Sequence, residues 1–426
     1  MPKGKRWFKL DNAAKLYPAV ANWRWSSIFR VSVEMNEPVM PDALQRALDM
    51  TLPRFPTFKV GMRSGLFWYY LEEIQVPLRI RQDAGHPCMP LVKRANDGYL
   101  MRVFYYRNRI SAEFFHSLTD GTGGLCFIKT LAVAYLRVLG HDVQFDQGAL
   151  PLNETPSPDE TRDAFMQMPL PRVRVSRWES SAYHLPGTLE IPHTLRVIAA
   201  SLPADEMLRL AKEAQVSLTE YLTAVMLYTA YCEQQKNGGR KSRMPLRVSV
   251  PVNMRAYYAT KTLRNFSSFV NPDIDPRLGA YSFEEIARDV HHFMRYFLNP
   301  KFLCATIATN VADERNPLIR ITPLFLKRLV IGLMFRRAGD RLVTSTISNI
   351  GRTQRPTGSE ALIRRFEFQL GAPSWPMWNC AAVTTGNDLR LVFSGNIRET
   401  TLPREMLRFL MARGVRATVE SNMEDN

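Results

Sequence analysis

The run Arg109-Ile110-Ser111-Ala112-Glu113-Phe114-Phe115-His116-Ser117-Leu118-Thr119-Asp120-Gly121-Thr122-Gly123-Gly124 decides how the chain reads. Its first seven residues form the return strand of a hairpin whose outgoing strand is Tyr99 to Tyr106, turning at Arg107-Asn108. From Thr122 to Leu139 the apolar spacing becomes helical and closes on Gly140. His116 therefore stands where a strand gives way to a helix. Gly121, Gly123 and Gly124 allow the abrupt change of direction. Rigid strands present side chains from their ends, so chemistry concentrates at such junctions.

A histidine four residues ahead of Asp-Gly arises by chance in one of seven histidines at roughly the few-per-cent level. The chemistry that suits it is acyl transfer by direct attack. A hydroxyl or amine is a poor nucleophile until a base takes its proton, and histidine titrates in the right range. Asp120 either holds the loop or tunes His116, and Gly121 lets backbone pass closely. The competing reading is a junction histidine beside a turn aspartate, with no chemistry at all.

Before the motif, Ser26 to Met35 reads as a strand and Pro41 to Thr51 as a helix opening on proline. A hairpin follows, Thr57 to Arg63 and Phe67 to Glu72, turning at Ser64-Gly65. Beyond Leu150, prolines 151, 156, 158, 169, 171, 186 and 192 argue for an extended crossover rather than a packed element. Residues 1–150 thus form an N-terminal lobe, 151–193 the crossover and 194–426 a C-terminal lobe. In the second lobe, helices are expected over Ala204 to Ala214 and Leu218 to Gln235. Ser217 with Glu220, and Ser282 with Glu285, have capping-box spacing, the second opening a helix through Phe297. Strands are expected at Leu246 to Val252, Leu342 to Ser348, Arg365 to Leu370, Met377 to Thr384 and Leu389 to Ser394. The fold class is α+β, a mixed α/β sandwich of two similar lobes.

The 426 residues are 46% apolar and 23% charged, ordinary for a folded chain. No basic residues followed by an apolar run mark a secretory leader. Five scattered cysteines suit neither a disulfide framework nor zinc, so no metal is expected and a reducing cytoplasm is. A formal net charge of +16 draws anionic lipid, phosphate-bearing ligands or nucleic acid. Lacking a basic arm or nucleic-acid motif, the chain is read as binding no nucleic acid. Residues 320–337 mix apolar side chains with Arg320, Lys327, Arg328, Arg336 and Arg337. Such a helix either rests on anionic lipid at the membrane periphery or packs its apolar face on its own domain. His291-His292 lacks a carboxylate set and reads as solvated or interfacial.

His116-Ser117-Leu118-Thr119-Asp120-Gly121 resembles the HxxxDG signature of the condensation-domain and acyl-CoA-dependent acyltransferase superfamily. That group includes chloramphenicol acetyltransferase, plant BAHD enzymes, wax ester synthases and polyketide-associated acyltransferases. Three further segments resemble it in order and spacing: Phe55-Pro56 with the strand to Arg63, Val250-Pro251-Val252-Asn253-Met254-Arg255, and Ser348-Asn349-Ile350-Gly351. The resemblance spans nearly the whole chain and is closest to bacterial alcohol-acetyltransferase-like proteins. It implies two chloramphenicol-acetyltransferase-like lobes with a tunnel between them, and His116 as general base. Asp120 would be a structural partner, salt-bridged to an early-strand arginine, for which Arg63 is the candidate. Ser348 and Asn349 would lie across the tunnel, as oxyanion donors or donor-channel lining, with Asn253, Arg255 and Gly121 in support.

The resemblance further implies a thioester donor, acyl-CoA or acyl-phosphopantetheine, as co-substrate with no bound cofactor. An acyl carrier protein is a partner in the second case, and the acceptor is an alcohol or an amine. The sequence departs from the group in two places. Phe115 stands where peptide-synthetase condensation domains usually carry a second histidine, and the DFGWG stretch of the plant enzymes is missing. With no adjacent carrier domain, a free-standing enzyme is expected. The competing classes are a non-catalytic docking protein of the same fold and an amide-forming N-acyltransferase.

Overall fold

The computed structural model describes residues 5–423 apart from 22–25, 84, 93–95, 169–170, 172, 174 and 176–178. The first lobe runs through β1 (Trp7–Lys9), α1 (Tyr17–Val20), β2 (Ile28–Met35), α2 (Pro41–Thr51), β3 (Val60–Ser64), β4 (Tyr69–Glu73), β5 (Arg81–Gln82), β6 (Met101–Tyr106), β7 (Arg109–Phe115) and α3 (Gly121–Val138). The crossover holds α4 (Pro158–Thr161) and a 3-10 turn at Ala164–Gln167 among its described residues. The second lobe follows as β8 (Arg196–Pro203), α5 (Ala204–Glu213), α6 (Leu218–Asn237), β9 (Leu246–Asn253), β10 (Ser267–Val270), β11 (Asp273–Ile274), α7 (Phe283–Phe297), α8 (Pro300–Arg315), α9 (Pro317–Ile321) and α10 (Leu324–Ala338). The chain closes with β12 (Ser345–Thr353), β13 (Ile363–Gln369), β14 (Trp378–Thr385), β15 (Asp388–Gly395), α11 (Thr401–Met411) and β16 (Thr418–Ser421).

The mixed α/β class and the boundaries of α2, α6 and α7 agree with the sequence pattern. Both capping boxes form, so these helices satisfy orphan amides with their own Ser and Glu side chains. The hairpin of β6 and β7 turns at Arg107, which takes a positive φ of 50°.

Sheet membership departs from the linear reading. The five-stranded sheet has the order β13-β2-β7-β6-β5. The pattern places the strand near Arg365 in the second lobe. The structure instead pairs β13 antiparallel with β2, with Phe366 opposite Val33 and Phe368 opposite Val31. A strand pattern states how two faces differ in polarity, not which sheet supplies the neighbours. This exchange stitches the lobes: Ala199, Ala381, Val383 and Val392 of the second sheet pack into the core of α2, α3, β2 and β7. The other face of that sheet, order β10-β9-β12-β14-β15-β8-β16, is covered by α5, α6, α7 and α11.

The crossover is less extended than its prolines imply. Ala164, Phe165 and Met168 join Phe266, Leu303 and Ile307 in a small buried cluster. Glu160 binds Arg54 at 2.5 Å, both side chains buried. Apolar burial overrides the turn signal there, while parts of 151–193 lie outside the described residues. Ser348-Asn349 is likewise inside β12 rather than at a strand end, because β14 pairs with it through Asn349↔Ala382. A bulge follows, with Gly351 at a φ of 85°.

Candidate active site

The motif is pinned residue by residue. The His116 amide donates to the Ser27 carbonyl at 2.9 Å, extending the β2–β7 ladder past its last pair, Ile28↔Phe115. The Ser117 hydroxyl donates to the Ala14 carbonyl at 2.9 Å, and Leu118 is buried in the core. The Thr119 hydroxyl donates to the Leu263 carbonyl at 2.6 Å, across the lobe seam. Asp120 then caps α3, its Oδ1 accepting from the Gly123 amide at 3.1 Å. The three residues between histidine and aspartate thus fix the turn, and Asp120 fixes the start of the helix that follows.

His116 itself is only partly buried. Tyr17 of α1 stacks on its ring at 4.3 Å between centroids, nearly parallel at 14°, and Phe29 meets it edge-on at 5.1 Å. Its Nδ1 lies 3.1 Å from Asn265 Oδ1. The Asn265 Nδ2 donates to the His116 carbonyl at 2.9 Å and to Asp11 Oδ2 at 3.2 Å. A carbonyl can only accept, so the amide nitrogen faces it and the amide oxygen faces Nδ1. Nδ1 must then carry the proton, which leaves the lone pair of the neutral ring on Nε2.

The electrostatics favour the same state. Burial lowers the His116 pKa from its ordinary 6.5, against the opposing pull of its own carbonyl, Asp120 and Asn265. That shift favours the neutral ring. Asp11 behind Asn265 is fully buried, and burial pushes its carboxyl up to about 6 while Arg264 opposes.

Asp120 does not face the ring as a proton partner. Its Oδ2 accepts from Arg255 Nη1 at 2.8 Å and from the Phe266 amide at 2.9 Å. Arg255 also donates through Nε to the Thr262 carbonyl at 3.0 Å and through Nη2 to the Arg264 carbonyl at 2.6 Å. Asn253 Oδ1 accepts from the Arg255 amide at 3.1 Å and from Nη1 at 3.2 Å. Asp120 is therefore the knot between the N-terminus of α3 and the second-lobe loop that follows β9.

This corrects the expected partner. Arg63 is an exposed residue of β3 that pairs with Glu72 at 2.8 Å, and Asp120 binds Arg255 instead. Arg63 lies on the separate three-stranded sheet β1-β4-β3. The arginine comes from the other lobe, 135 residues along the chain.

Gly121 sits where an added Cβ would come within 3.0 Å of Ile350 Cγ2 and 3.2 Å of Phe368 Cζ, so β12 and β13 approach the motif closely. At Gly123 a Cβ would collide with the Thr119 hydroxyl and the Leu263 carbonyl oxygen. Gly123→Ala is expected to destabilise the fold by about 1–3 kcal/mol through overpacking. The check is a thermal-unfolding midpoint; an unchanged midpoint would contradict this account of the seam.

Ser348 and Asn349 part company. In register with Ala381, Ser348 shares the face turned to the first lobe. Asn349 is in register with Ala382, on the helix-covered face, and donates to Thr219 Oγ1 at 3.0 Å. Its Oδ1 accepts from the Gly351 amide at 2.8 Å. Only Ser348 of the pair is directed toward the seam; Asn349 anchors β12 to α6 and shapes the bulge.

Asn265, Asp11 and Tyr17 complete the surroundings of His116, and no sequence signal singled them out. Asn265 is 149 residues from His116. His291 Nδ1 meets Glu220 Oε2 at 3.2 Å. Among the described residues no group of three or more His, Cys, Asp and Glu side chains could hold a metal ion.

No family model and no curated protein matches the chain. Solved structures do match over nearly full length. The chain is similar to the first condensation domain of the calcium-dependent antibiotic synthetase, at 16% identity and a TM-score of 0.60, covering 96% of each chain. It is similar to the trichothecene 15-O-acetyltransferase of Fusarium sporotrichioides, at 10% identity and a TM-score of 0.60, covering 96% of this chain and 94% of that one. A third, an F. sporotrichioides protein complexed with coenzyme A and T-2, has 13% identity and a TM-score of 0.62, covering 96% and 97%. The chain has the fold shared by condensation domains and chloramphenicol-acetyltransferase-like acyltransferases.

Proposed function

We propose that the protein is an acyltransferase that moves an acyl group from a thioester, in the first instance acyl-CoA, to the hydroxyl of a small or lipid-like alcohol. The observation that carries this reading is the orientation of His116. Its Nδ1 is held by Asn265, so the basic Nε2 is left for a substrate proton. One structural neighbour is an O-acetyltransferase and another was solved with coenzyme A, which supports an alcohol acceptor and a CoA donor. The chain's +16 charge suits a donor bearing phosphates.

In the proposed reaction His116 Nε2 takes the acceptor proton as the oxygen attacks the thioester carbonyl. The charge developing on the carbonyl oxygen needs a donor on the far wall, the role we assign to Ser348. Collapse of the tetrahedral intermediate expels the thiolate, which recovers the proton from the His116 imidazolium. Asn265 holds the ring in one tautomer through both states. Asp120 and Arg255 fix the loop that carries Asn265, and take no proton.

The direct test is incubation of purified protein with mixed acyl-CoA species and alcohol or amine acceptors, followed by mass spectrometry of products. Ester products support the reading. Amide products would move it to N-acylation, and no product from any donor would favour a docking protein of the same fold.

Asn265 supplies a sharper readout. Asn265→Ala removes the acceptor for Nδ1–H, and the rate is expected to fall about 10²-fold as the ring samples the wrong tautomer. The acceptor also favours the protonated ring, so its loss should move the acidic limb of the pH profile to lower pH. Asn265→Asp places a negative charge beside the ring and should move that limb to higher pH. Limbs that stay put in both variants would reduce Asn265 to a packing role.

A further inference from the structure

Helix α10 is oriented opposite to an ordinary surface helix. Phe325, Leu329 and Leu333 form one i,i+4 row, and Leu326, Val330 and Met334 the adjacent one. All six are exposed, from 41% at Leu326 to 70% at Phe325. The charged residue that flanks the second row, Lys327, points inward instead. Its Nζ donates to the Phe67 carbonyl at 3.0 Å and sits 3.4 Å from the centre of the Trp68 ring. A helix on a protein surface in water buries the apolar stripe and exposes the charge. Of the two alternatives open for 320–337, the exposure of the row Leu326, Val330 and Met334 favours the first, while Phe325, Leu329 and Leu333 face the gap toward α1.

The patch extends beyond α10. The Leu324 amide donates to the Leu66 carbonyl at 2.9 Å, which brings the tip of the β3–β4 hairpin alongside, and Leu66 and Phe67 are exposed there. Leu318 and Ile321 of α9 are exposed as well. The exposed side chains of α10 and of the β3–β4 tip thus form one apolar platform, with those of α9 just before it in the chain, larger than scattered surface leucines would make.

Charge selects the occupant. From Pro317 to Gly339 the chain carries five basic residues, Arg320, Lys327, Arg328, Arg336 and Arg337, and no acidic one. Of these, Arg320 and Arg328 are exposed; a second copy would bring the same two guanidinium groups, and like charges oppose that pairing. An anionic bilayer offers both an apolar interior and negative headgroups. No helix among the described residues is long and apolar enough to cross a membrane, so the contact is peripheral.

The platform borders the site. Between α1 and α10 lies a cavity of about 440 Å³ lined by Val20, Phe325, Arg328, Leu329 and Phe335 among others. α1 begins with Tyr17, whose ring stacks on His116. We infer that the outward face of α10, with α9 and the β3–β4 tip, docks the protein on an anionic phospholipid surface. From there a lipid-like substrate enters beside α1. The choice of substrate rests on the acyltransferase reading; the docking does not.

The test is co-sedimentation of the full chain with phosphatidylcholine vesicles, with and without about one quarter phosphatidylglycerol, at low and high salt. Wild type should bind the anionic vesicles more tightly, and salt should weaken the binding. Leu326→Glu with Val330→Glu replaces two exposed side chains that lie off the cavity, and should weaken binding about tenfold or more with an unchanged melting temperature. His116→Ala should bind as wild type does. Equal binding by the double variant, or no sedimentation with any vesicle, overturns the inference. So does a dimer in solution that the double variant dissociates while vesicles leave the protein unbound. Vesicle binding without turnover of any acyl donor would sink the acyltransferase reading alone, and turnover without vesicle binding would sink the docking alone.

Discussion

His116→Ala is expected to lower kcat by about 10²–10⁴-fold, the range associated with loss of a positioned general base. The effect should appear in kcat and kcat/KM together, since the proton moves only in the transition state. Folding should be little affected. The ring is partly exposed, and its main losses are the Tyr17 stack and the Phe29 edge contact, about 0.5–1.5 kcal/mol each. The wild-type pH profile carries a second part of the same prediction. Base catalysis is lost as pH falls through the histidine pKa. Burial sets that pKa below 6.5, so the acidic limb should lie below 6.5. In the alanine variant that limb should vanish. The measurements are steady-state rates on an acyl-CoA donor from about pH 5 to 8, with a melting curve as control. Full activity in the variant would remove His116 from the mechanism.

Much of this was legible in the sequence because it is local. Caps and periodicity are written within four residues of where they act, so α2, α6, α7 and the β6–β7 hairpin appear where expected. The motif is local in the same sense: Asp120 caps α3 one turn past His116. What was not legible is contact between remote segments. Arg63 meets the expectation of an early-strand arginine but pairs with Glu72, and Arg255 reaches Asp120 only because β9 and its following loop fold over the first lobe. Asn265 has no spacing that marks it, since its partners Asp11 and His116 lie 254 and 149 residues away.

Two points could have been read more closely. Adjacent residues of a strand face opposite sides, so Ser348 and Asn349 cannot both line one seam once β12 extends through them. The periodicity of α10 locates an apolar face but carries no sign for inward or outward. That sign came from Lys327, drawn in by a carbonyl and an indole of the neighbouring hairpin.

Arg255→Ala is expected to destabilise the protein by about 3–5 kcal/mol, the range for removing one partner of a buried ion pair. Asp120 would keep the Gly123 and Phe266 amides but lose its only charged partner among the described residues. The carbonyls of Thr262 and Arg264 would lose donors as well. Because those carbonyls belong to the loop that carries Asn265, activity should fall with stability, whereas in His116→Ala the loss of activity should far outweigh the loss of stability. Arg255→Lys should rescue little. A single ammonium cannot reach Asp120 and two divergent carbonyls with the geometry of the guanidinium fork. Pairing Arg255→Ala with Asp120→Ala should cost less than the sum of the two, because the second change removes the stranded carboxylate left by the first. Denaturant unfolding of the four proteins measures the cycle. Strict additivity would mean that the pair is incidental, and that the lobes are held at this seam by the Thr119–Leu263 bond and apolar contact alone.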